Sequence, residues 1–268
     1  MKHRIRDVII ILIAYSGLAW VYRTYVGRKG PLVRVLCFHD VPNEFWFKGI
    51  LQMVTDEFNL ITPAQFHCKE FDTNKINVLL TFDDGYQSWV DVCLPIMGEY
   101  NAKGIFFINS GLLDVAYDAA AVEKYIHERL LLSNVRQPLT WEGTKALVSA
   151  GQTIGGHTVT HPNLAKLDTK EIKTEIEDDK KRIEIILDIT LIDFAYPFGR
   201  KNNYTVDIFG ATMKAGYTFV YTADTGFVKE FGNSNISRVC LEKNQSLQSI
   251  NLCINGGYDV LKSVICQN

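Results

Sequence analysis

The sequence has little net charge and lacks a basic cluster. Its 28 lysine and arginine residues nearly balance its 30 aspartate and glutamate residues, which gives a formal net charge of -2 at pH 7. Surfaces that bind nucleic acids usually carry a basic patch, often with aromatic residues between the charges. Neither feature occurs along this chain, so we expect no nucleic-acid partner.

Closely spaced cysteine pairs are absent as well. None of the six cysteines forms a Cys-x-x-Cys sequence, which excludes zinc-finger chemistry. In a chain of this size, with several cysteines in apolar segments, buried and unreactive thiols are favoured over a disulfide framework. The six positions are Cys37, Cys68, Cys93, Cys240, Cys253 and Cys266.

Internal repeats and low-complexity segments are also lacking. With 47% hydrophobic and 22% charged residues, the composition is that of a globular protein with one sizeable core. We therefore predict a single domain over residues 31–268 and a separate N-terminal segment over residues 1–30.

The N-terminal segment contains an uncharged apolar stretch, residues 8–22, which follows basic residues and ends at Arg23. This stretch is short for a membrane-spanning helix and suits a signal peptide, although tolerance of Arg23 would extend it to Val26. No small-x-small cleavage site lies near its end, so we favour an uncleaved membrane anchor. Basic residues on both sides leave its orientation open.

Strand-like and helix-like patterns alternate from residue 31 onward. Such alternation predicts a parallel sheet, and about seven units predict an α/β fold of the irregular (β/α)7-barrel type. The last strand is predicted over Ile236–Leu241. A capping box at Asp168 begins a helix with an apolar stripe, and the charged residues 175–182 form its expected solvated face.

One apolar strand, which begins at Val78, ends abruptly on Asp83 and Asp84. Catalytic groups in α/β folds lie at the carboxyl ends of parallel strands. Gly85 lets the chain leave strand geometry, so both carboxylates can face one cleft, one to bind a metal ion and one to accept a proton. By itself, Asp-Asp-Gly more often forms a solvated turn.

Two histidines support a metal site. His157 and His161 lie four residues apart in a loop that follows another apolar segment. Together with a distant aspartate they form a suitable ligand set for a divalent ion with an open coordination position. Zinc is the ion that we expect in this site, and the same ligands also accept iron, cobalt or nickel.

These motifs resemble the polysaccharide deacetylase family, the NodB-like carbohydrate esterases of family four. The resemblance covers roughly residues 33–262, and its principal matching segments are residues 81–86 (TFDDGY), 157–164 (HTVTHPNL) and 195–199 (AYPFG). It implies that Asp83 is the catalytic base, that Asp84, His157 and His161 hold the metal ion, and that the backbone N–H of Tyr86 helps to stabilise the oxyanion. Tyr196, Pro197 and Phe198 would form a wall of the substrate cleft.

The chain departs from the family at the proton donor. Members commonly have a late Leu-x-His sequence, but the matching segment here begins at Arg238 and no histidine follows His161. His39, at the end of the first predicted strand, is the remaining candidate for the general acid. An early Phe-His-Asp sequence is similar to the poly-β-1,6-N-acetylglucosamine deacetylase branch. A core histidine beside Asp40 is the alternative interpretation.

A second departure is at Ala195, where the family often has an arginine that orients the base. Arg238, at the start of the last predicted strand, is the candidate substitute for that arginine.

The resemblance therefore implies a membrane-anchored, metal-dependent N-deacetylase that acts outside the cytoplasm on a β-linked N-acetylglucosamine polymer. Two alternatives remain open, namely a peptidoglycan or chitin-oligosaccharide deacetylase and an inactive carbohydrate-binding relative. The sequence does not predict the oligomeric state.

Overall fold

The computed structural model describes residues 17–228, 231, 235–243 and 245–260. Its strands are β1 (Val33–Phe38), β2 (Asn59–Leu60), β3 (Asn77–Phe82), β4 (Gly104–Ile108), β5 (Thr153–Gly156), β6 (Asp193–Ala195), β7 (Phe219–Tyr221), β8 (Asn235–Ile236) and β9 (Val239–Cys240). Its helices are α1 (Leu18–Gly27), α2 (Glu44–Glu57), α3 (Pro63–Cys68), α4 (Leu94–Glu99), α5 (Ser110–Asp114), α6 (Ala119–Glu128), α7 (Trp141–Ser149), α8 (Thr169–Lys173), α9 (Asp179–Leu187), α10 (Val206–Lys214) and α11 (Leu247–Ile254).

All paired strands of the sheet are parallel. Their order is β8-β7-β6-β5-β4-β3-β1-β9, and β2 also pairs with β3. The strands at the two ends of this order, β8 and β9, are consecutive in the chain and are separated only by Ser237 and Arg238. The sheet therefore curves until its ends meet in one segment, and this parallel α/β fold is consistent with a (β/α) barrel.

The prediction of one continuous strand over Ile236–Leu241 was wrong. The chain pairs with β7 through β8, turns at Ser237 and Arg238, and pairs with β1 through β9. A straight strand could not follow both edges of a strongly curved sheet, and the turn supplies the required bend. It also brings Arg238 to the carboxyl end of the sheet.

Five strands are buried on both faces of the sheet, namely β1, β3, β4, β6 and β7. Alternate residues of β1 belong to two separate apolar clusters, with Leu36 and Phe38 in the larger and Val33 and Val35 in the smaller. Successive side chains of a strand point to opposite faces, so a strand covered on both sides needs apolar residues throughout. This burial explains why these strands can be recognised in the sequence as continuous apolar segments.

The helices follow most of the predicted signals. Asp168 caps α8 with a complete capping box, in which its side chain accepts from Lys170 N and Glu171 N. The predicted long helix continues from α8 through a π-helical turn, Thr174–Asp178, into α9. A second π-helical turn, Trp89–Cys93, precedes α4 next to Pro95. The short helix α5 was not predicted.

Most of the predicted anchor lies outside the described residues, which begin at Gly17. Its end forms α1, which packs near the amino-terminal end of β1, where Tyr22 stacks on Phe227 and Arg23 donates to Asn255. Within the described part of the chain, no helix is both long and apolar enough to cross a membrane.

Candidate active site

The carboxylate pair follows directly after β3. Asp84 has a φ of 86° and Gly85 a φ of 106°, so the chain leaves strand geometry at Asp84 itself. Aspartate tolerates this left-handed region better than most residues. The turn leaves both carboxylates buried, with Asp83 4% exposed and Asp84 6% exposed, and gives each its own partners.

Asp84, His157 and His161 converge on one point. The Nε2 atom of His157 lies 3.5 Å from Asp84 Oδ1, and the Nε2 atom of His161 lies 3.4 Å from the same oxygen. The ligand atoms of all three residues lie within 4.8 Å of one another, and all three side chains are buried. One carboxylate and two imidazoles in a buried cluster fit a divalent cation of the zinc type.

Backbone contacts orient the two imidazoles. Nδ1 of His157 lies 2.7 Å from the carbonyl oxygen of Ala195, and Nδ1 of His161 lies 3.3 Å from that of Arg129. A carbonyl can only accept, so each Nδ1 carries the proton and each Nε2 is left to bind a cation. Burial lowers the pKa of His161 to about 4, so this ring is neutral near neutral pH. Burial also acts to lower the pKa of His157, but the hydrogen bond with Asp84 leaves that pKa above its ordinary value, so a bound cation would have to displace a proton from this ring.

Asp179 holds the backbone of the loop that carries His157 and His161. Its Oδ2 accepts from the backbone N–H of His157 at 3.1 Å, and its Oδ1 accepts from that of Ser110 at 3.0 Å. Asp179 is fully buried. The prediction that residues 175–182 form a solvated face is therefore wrong at this position. The signal was its place between Ile176 and Ile183 on the apolar stripe, where a carboxylate is unexpected.

Asp83 is held by Arg238. Nη1 and Nη2 of Arg238 donate to Oδ1 and Oδ2 of Asp83, each at 2.6 Å, and Nε donates to the carbonyl oxygen of Thr222 at 2.8 Å. Burial by itself raises the pKa of Asp83, but the charge of Arg238 is the largest opposing influence and leaves that pKa below its ordinary value. Asp83 is thus ionised at neutral pH, as a general base must be. Arg238 thus lies where an arginine that orients the base would have to lie, and its role in catalysis stays a prediction.

His39 lies beside the carboxylates and is exposed. Its side chain offers a ligand atom within 4.8 Å of those of Asp83 and Cys37. It also lines a cavity of about 300 Å³ together with Trp46 and Lys243. Exposure does not fit the alternative interpretation as a core histidine, and the role of His39 as the acid stays a prediction.

Asp40 has other partners than His39. Its carboxylate lies 2.6 Å from Lys243 Nζ and 3.1 Å from Arg136 Nε, and it accepts from the hydroxyl of Ser88 at 2.8 Å.

The residues assigned to the cleft wall differ in exposure. Tyr196 is 1% exposed and stacks on Tyr204 in the larger core, and Pro197 is also buried. Phe198 is 37% exposed and packs edge-on against His161, with ring centres 4.7 Å apart. Of the three residues only Phe198 is therefore exposed, because the two residues before it follow β6 into the protein interior. The role of these residues as a cleft wall stays a prediction.

A second cavity of about 590 Å³ adjoins His161 and Phe198. Its lining includes Glu128 at the end of α6 and Arg129 and Leu131 just after it, and none of the three was predicted to lie near the site. No local sequence signal marks them, since only the packing of the loop after α6 brings them to the histidines.

The side chain of Tyr86 has a contact that the sequence did not indicate. Its hydroxyl donates to Asp84 Oδ2 at 2.8 Å, which leaves Asp84 Oδ1 facing the two histidines. Tyr86 is buried, and its predicted oxyanion role concerns its backbone N–H.

A parallel sheet with this cluster at its carboxyl edge defines the class of protein as an α/β protein with a candidate metal centre. Residues 71–220, more than half of the chain, match the polysaccharide deacetylase family. The chain therefore belongs to that family, whose members hydrolyse carbon–nitrogen bonds other than peptide bonds.

Individual relatives agree with this assignment. YxkH of Bacillus subtilis (strain 168), a protein assigned to the polysaccharide deacetylases, is 28% identical over 149 residues, which are 56% of this chain and 45% of that protein. The chain thus matches less than half the length of this relative.

Two solved structures have the same fold. The deacetylase PplD of Streptococcus pyogenes, in complex with acetate, superposes with a TM-score of 0.65 at 22% identity and covers 83% of this chain and 98% of its own. IcaB of Ammonifex degensii superposes with a TM-score of 0.65 at 19% identity, and the match covers 85% of this chain and 98% of IcaB.

Proposed function

We propose that the protein is a metal-dependent N-deacetylase of a β-linked N-acetylglucosamine polymer of the poly-β-1,6 type. The observation that carries this proposal is the buried cluster of Asp84, His157 and His161 directly beside Asp83, which Arg238 holds ionised. The early Phe38-His39-Asp40 sequence supports this polymer rather than another.

Asp84, His157 and His161 would hold the divalent ion, and zinc is the first candidate. When bound, the ion would act as a Lewis acid toward the acetyl carbonyl and activate water. The chain supplies the proton transfers. Asp83 accepts the proton of the attacking water, and its two hydrogen bonds from Arg238 fix the direction in which it does so.

The carbon–nitrogen bond then breaks, and the amine nitrogen takes up a proton. His39 is exposed at the mouth of the site and is the proposed donor, so that acetate and the free amine leave together. The backbone N–H of Tyr86 is the proposed additional donor to the oxyanion.

The two cavities offer room for a polymer on this surface. One is lined by Trp46 and His39, and the other by Phe198 and His161. Aromatic side chains pack well against the apolar faces of sugar rings, so we propose Trp46 and Phe198 as the residues that contact neighbouring sugars.

The test is acetate release from a panel of matched oligosaccharides. The zinc-loaded protein is incubated with β-1,6-linked N-acetylglucosamine oligomers, chitin oligomers and peptidoglycan fragments, and released acetate is measured. We expect the β-1,6 oligomers to be the best substrate and Asp83→Asn to release at least a hundredfold less acetate. If chitin oligomers or peptidoglycan fragments are the better substrate, the proposed polymer is wrong. Glycan binding without acetate release would favour an inactive binding protein.

We also propose that the protein is attached to a membrane and works outside the cytoplasm. One side of α1 packs on the barrel through Tyr22 and Val26, whereas Trp20, Val21 and Tyr25 are more than half exposed. Tryptophan and tyrosine favour the membrane interface. Because α1 packs near the amino-terminal end of β1 and the site lies at the carboxyl ends, the site would face away from the bilayer.

Quenching of tryptophan fluorescence by brominated lipids tests this attachment. In vesicles that contain such lipids, we expect Trp20 to be quenched, so the Trp20→Phe variant should show little quenching and Trp141→Phe should behave like the wild type. Failure of the full chain to float with vesicles, or quenching that survives Trp20→Phe, would contradict the proposed attachment.

A further inference from the structure

Two cysteines lie next to the proposed base. Cys37 on β1 and Cys240 on β9 are direct partners in the register of neighbouring parallel strands, so their side chains point to the same face. Each thiol shifts the pKa of the other, which fits two neighbouring side chains on one face. The Sγ atom of Cys37 also lies 3.4 Å from Asp83 Oδ2.

This cluster contains a second complete set of metal-binding atoms. Cys37, His39 and Asp83 each offer one ligand atom, and these atoms lie within 4.8 Å of one another. The first set, formed by Asp84, His157 and His161, has only oxygen and nitrogen. Sulfur makes the second set softer, and soft ligands select cations such as cadmium and zinc over magnesium or manganese.

We propose that Cys37, His39 and Asp83 form a second, thiophilic metal site, with Cys240 as a neighbouring fourth ligand. Binding releases the proton of the Cys37 thiol, so a thiolate, an imidazole and a carboxylate face the cation. The carboxylate of Asp83 can bind it without losing Arg238, because each of its oxygens has more than one lone-pair direction.

Occupancy of this site has a consequence that rests on the proposed function. The same cation would be bound by Asp83, the proposed base, and by His39, the proposed acid, so neither could transfer a proton. A soft cation in excess should therefore inhibit the enzyme even while the first site is correctly loaded.

Cadmium alone is the probe for the site. The reduced full-length protein is titrated with Cd²⁺ while the thiolate-to-cadmium charge-transfer absorption and the number of bound ions are followed. We expect two ions per chain and sulfur absorption from the wild type. Cys37→Ser and Cys37→Ala should bind one ion and lose the absorption, and Cys240→Ser should bind the second ion about tenfold more weakly.

Cys68 offers a matched control, because it is an exposed cysteine at the end of α3. Cys68→Ser should keep both the second ion and the absorption. Retention of the absorption in both Cys37 variants, or its loss in Cys68→Ser, would overturn the proposal. The first bound ion reports that each variant is folded.

Inhibition is measured as the ratio of each variant's own activity with and without excess zinc. We expect excess zinc to lower wild-type activity more than tenfold and that of Cys37→Ser less than twofold, and equal inhibition of both would refute the inhibitory role. If no oligosaccharide yields acetate from any variant, the proposed function fails, and the cadmium titration still decides whether the second site exists.

Discussion

Replacing Arg238 by glutamine tests the link between the fold and the proposed chemistry. Arg238 is 1% exposed and makes two 2.6 Å hydrogen bonds to Asp83, one to Thr222 and one to Thr81. Breaking a buried ion pair by removing one partner costs about 3–5 kcal/mol, because the other charge stays buried without compensation. Two charge-assisted hydrogen bonds at about 1.5–3 kcal/mol each give a similar sum.

The expected loss of stability is therefore about 3–5 kcal/mol, or roughly 6–20 °C in Tm for a domain of this size. Thermal and urea unfolding measure it. Asp83→Asn in the Arg238→Gln background should remove much of the penalty, since no buried carboxylate is left.

The pH dependence of stability and activity follows from the direction in which the pKa of Asp83 is shifted. In the wild type the pKa of Asp83 lies below its ordinary value, so the contribution of this carboxylate to stability is present above the unfolded-state pKa and is lost as the pH falls through the folded-state pKa. Without Arg238, burial is no longer opposed by that charge and the pKa of Asp83 rises. The acidic limb of the pH profile of kcat/KM should then move to higher pH.

Arg34 is the matched control for this prediction. It is also fully buried and also paired with an aspartate, since its Nη2 lies 2.6 Å from Asp259 Oδ2 near the opposite end of β1. Arg34→Gln should destabilise the protein without moving the acidic limb. An unchanged limb in Arg238→Gln, or an equal displacement in both variants, would refute the reasoning.

Three further substitutions separate the proposed roles. Asp179→Asn removes an acceptor that holds the backbone of His157, so equilibrium dialysis should give a metal affinity about 10–100-fold lower, whereas the exposed neighbouring Asp178→Asn should match the wild type. His39→Gln should lower kcat about 10²–10⁴-fold with unchanged binding of the first metal ion, and loss of that ion would argue against a role confined to proton transfer. Phe198→Ala should raise KM for long oligomers more than for the monomer, and an equal rise for both would remove Phe198 from polymer binding.

Residues close together in sequence determined much of what could be predicted. The strands were recognised because burial on both faces requires continuous apolar residues, and α8 because its capping box is a local arrangement of hydrogen bonds. The Asp83-Asp84-Gly85 turn and the pair His157 and His161 are likewise compact motifs with defined chemistry. These features depend on a few neighbouring residues, so the sequence alone indicates them.

Only the tertiary structure decided which distant groups meet. Arg238 and Asp83 are 155 positions apart in the chain and touch because the last segment bends to close the sheet. The same closure places Cys240 beside Cys37. Asp179 is buried because α9 packs its apolar stripe under the metal-ligand loop, where two backbone N–H groups compensate the carboxylate. Such contacts arise from the packing of whole elements, and no local pattern of residues encodes them.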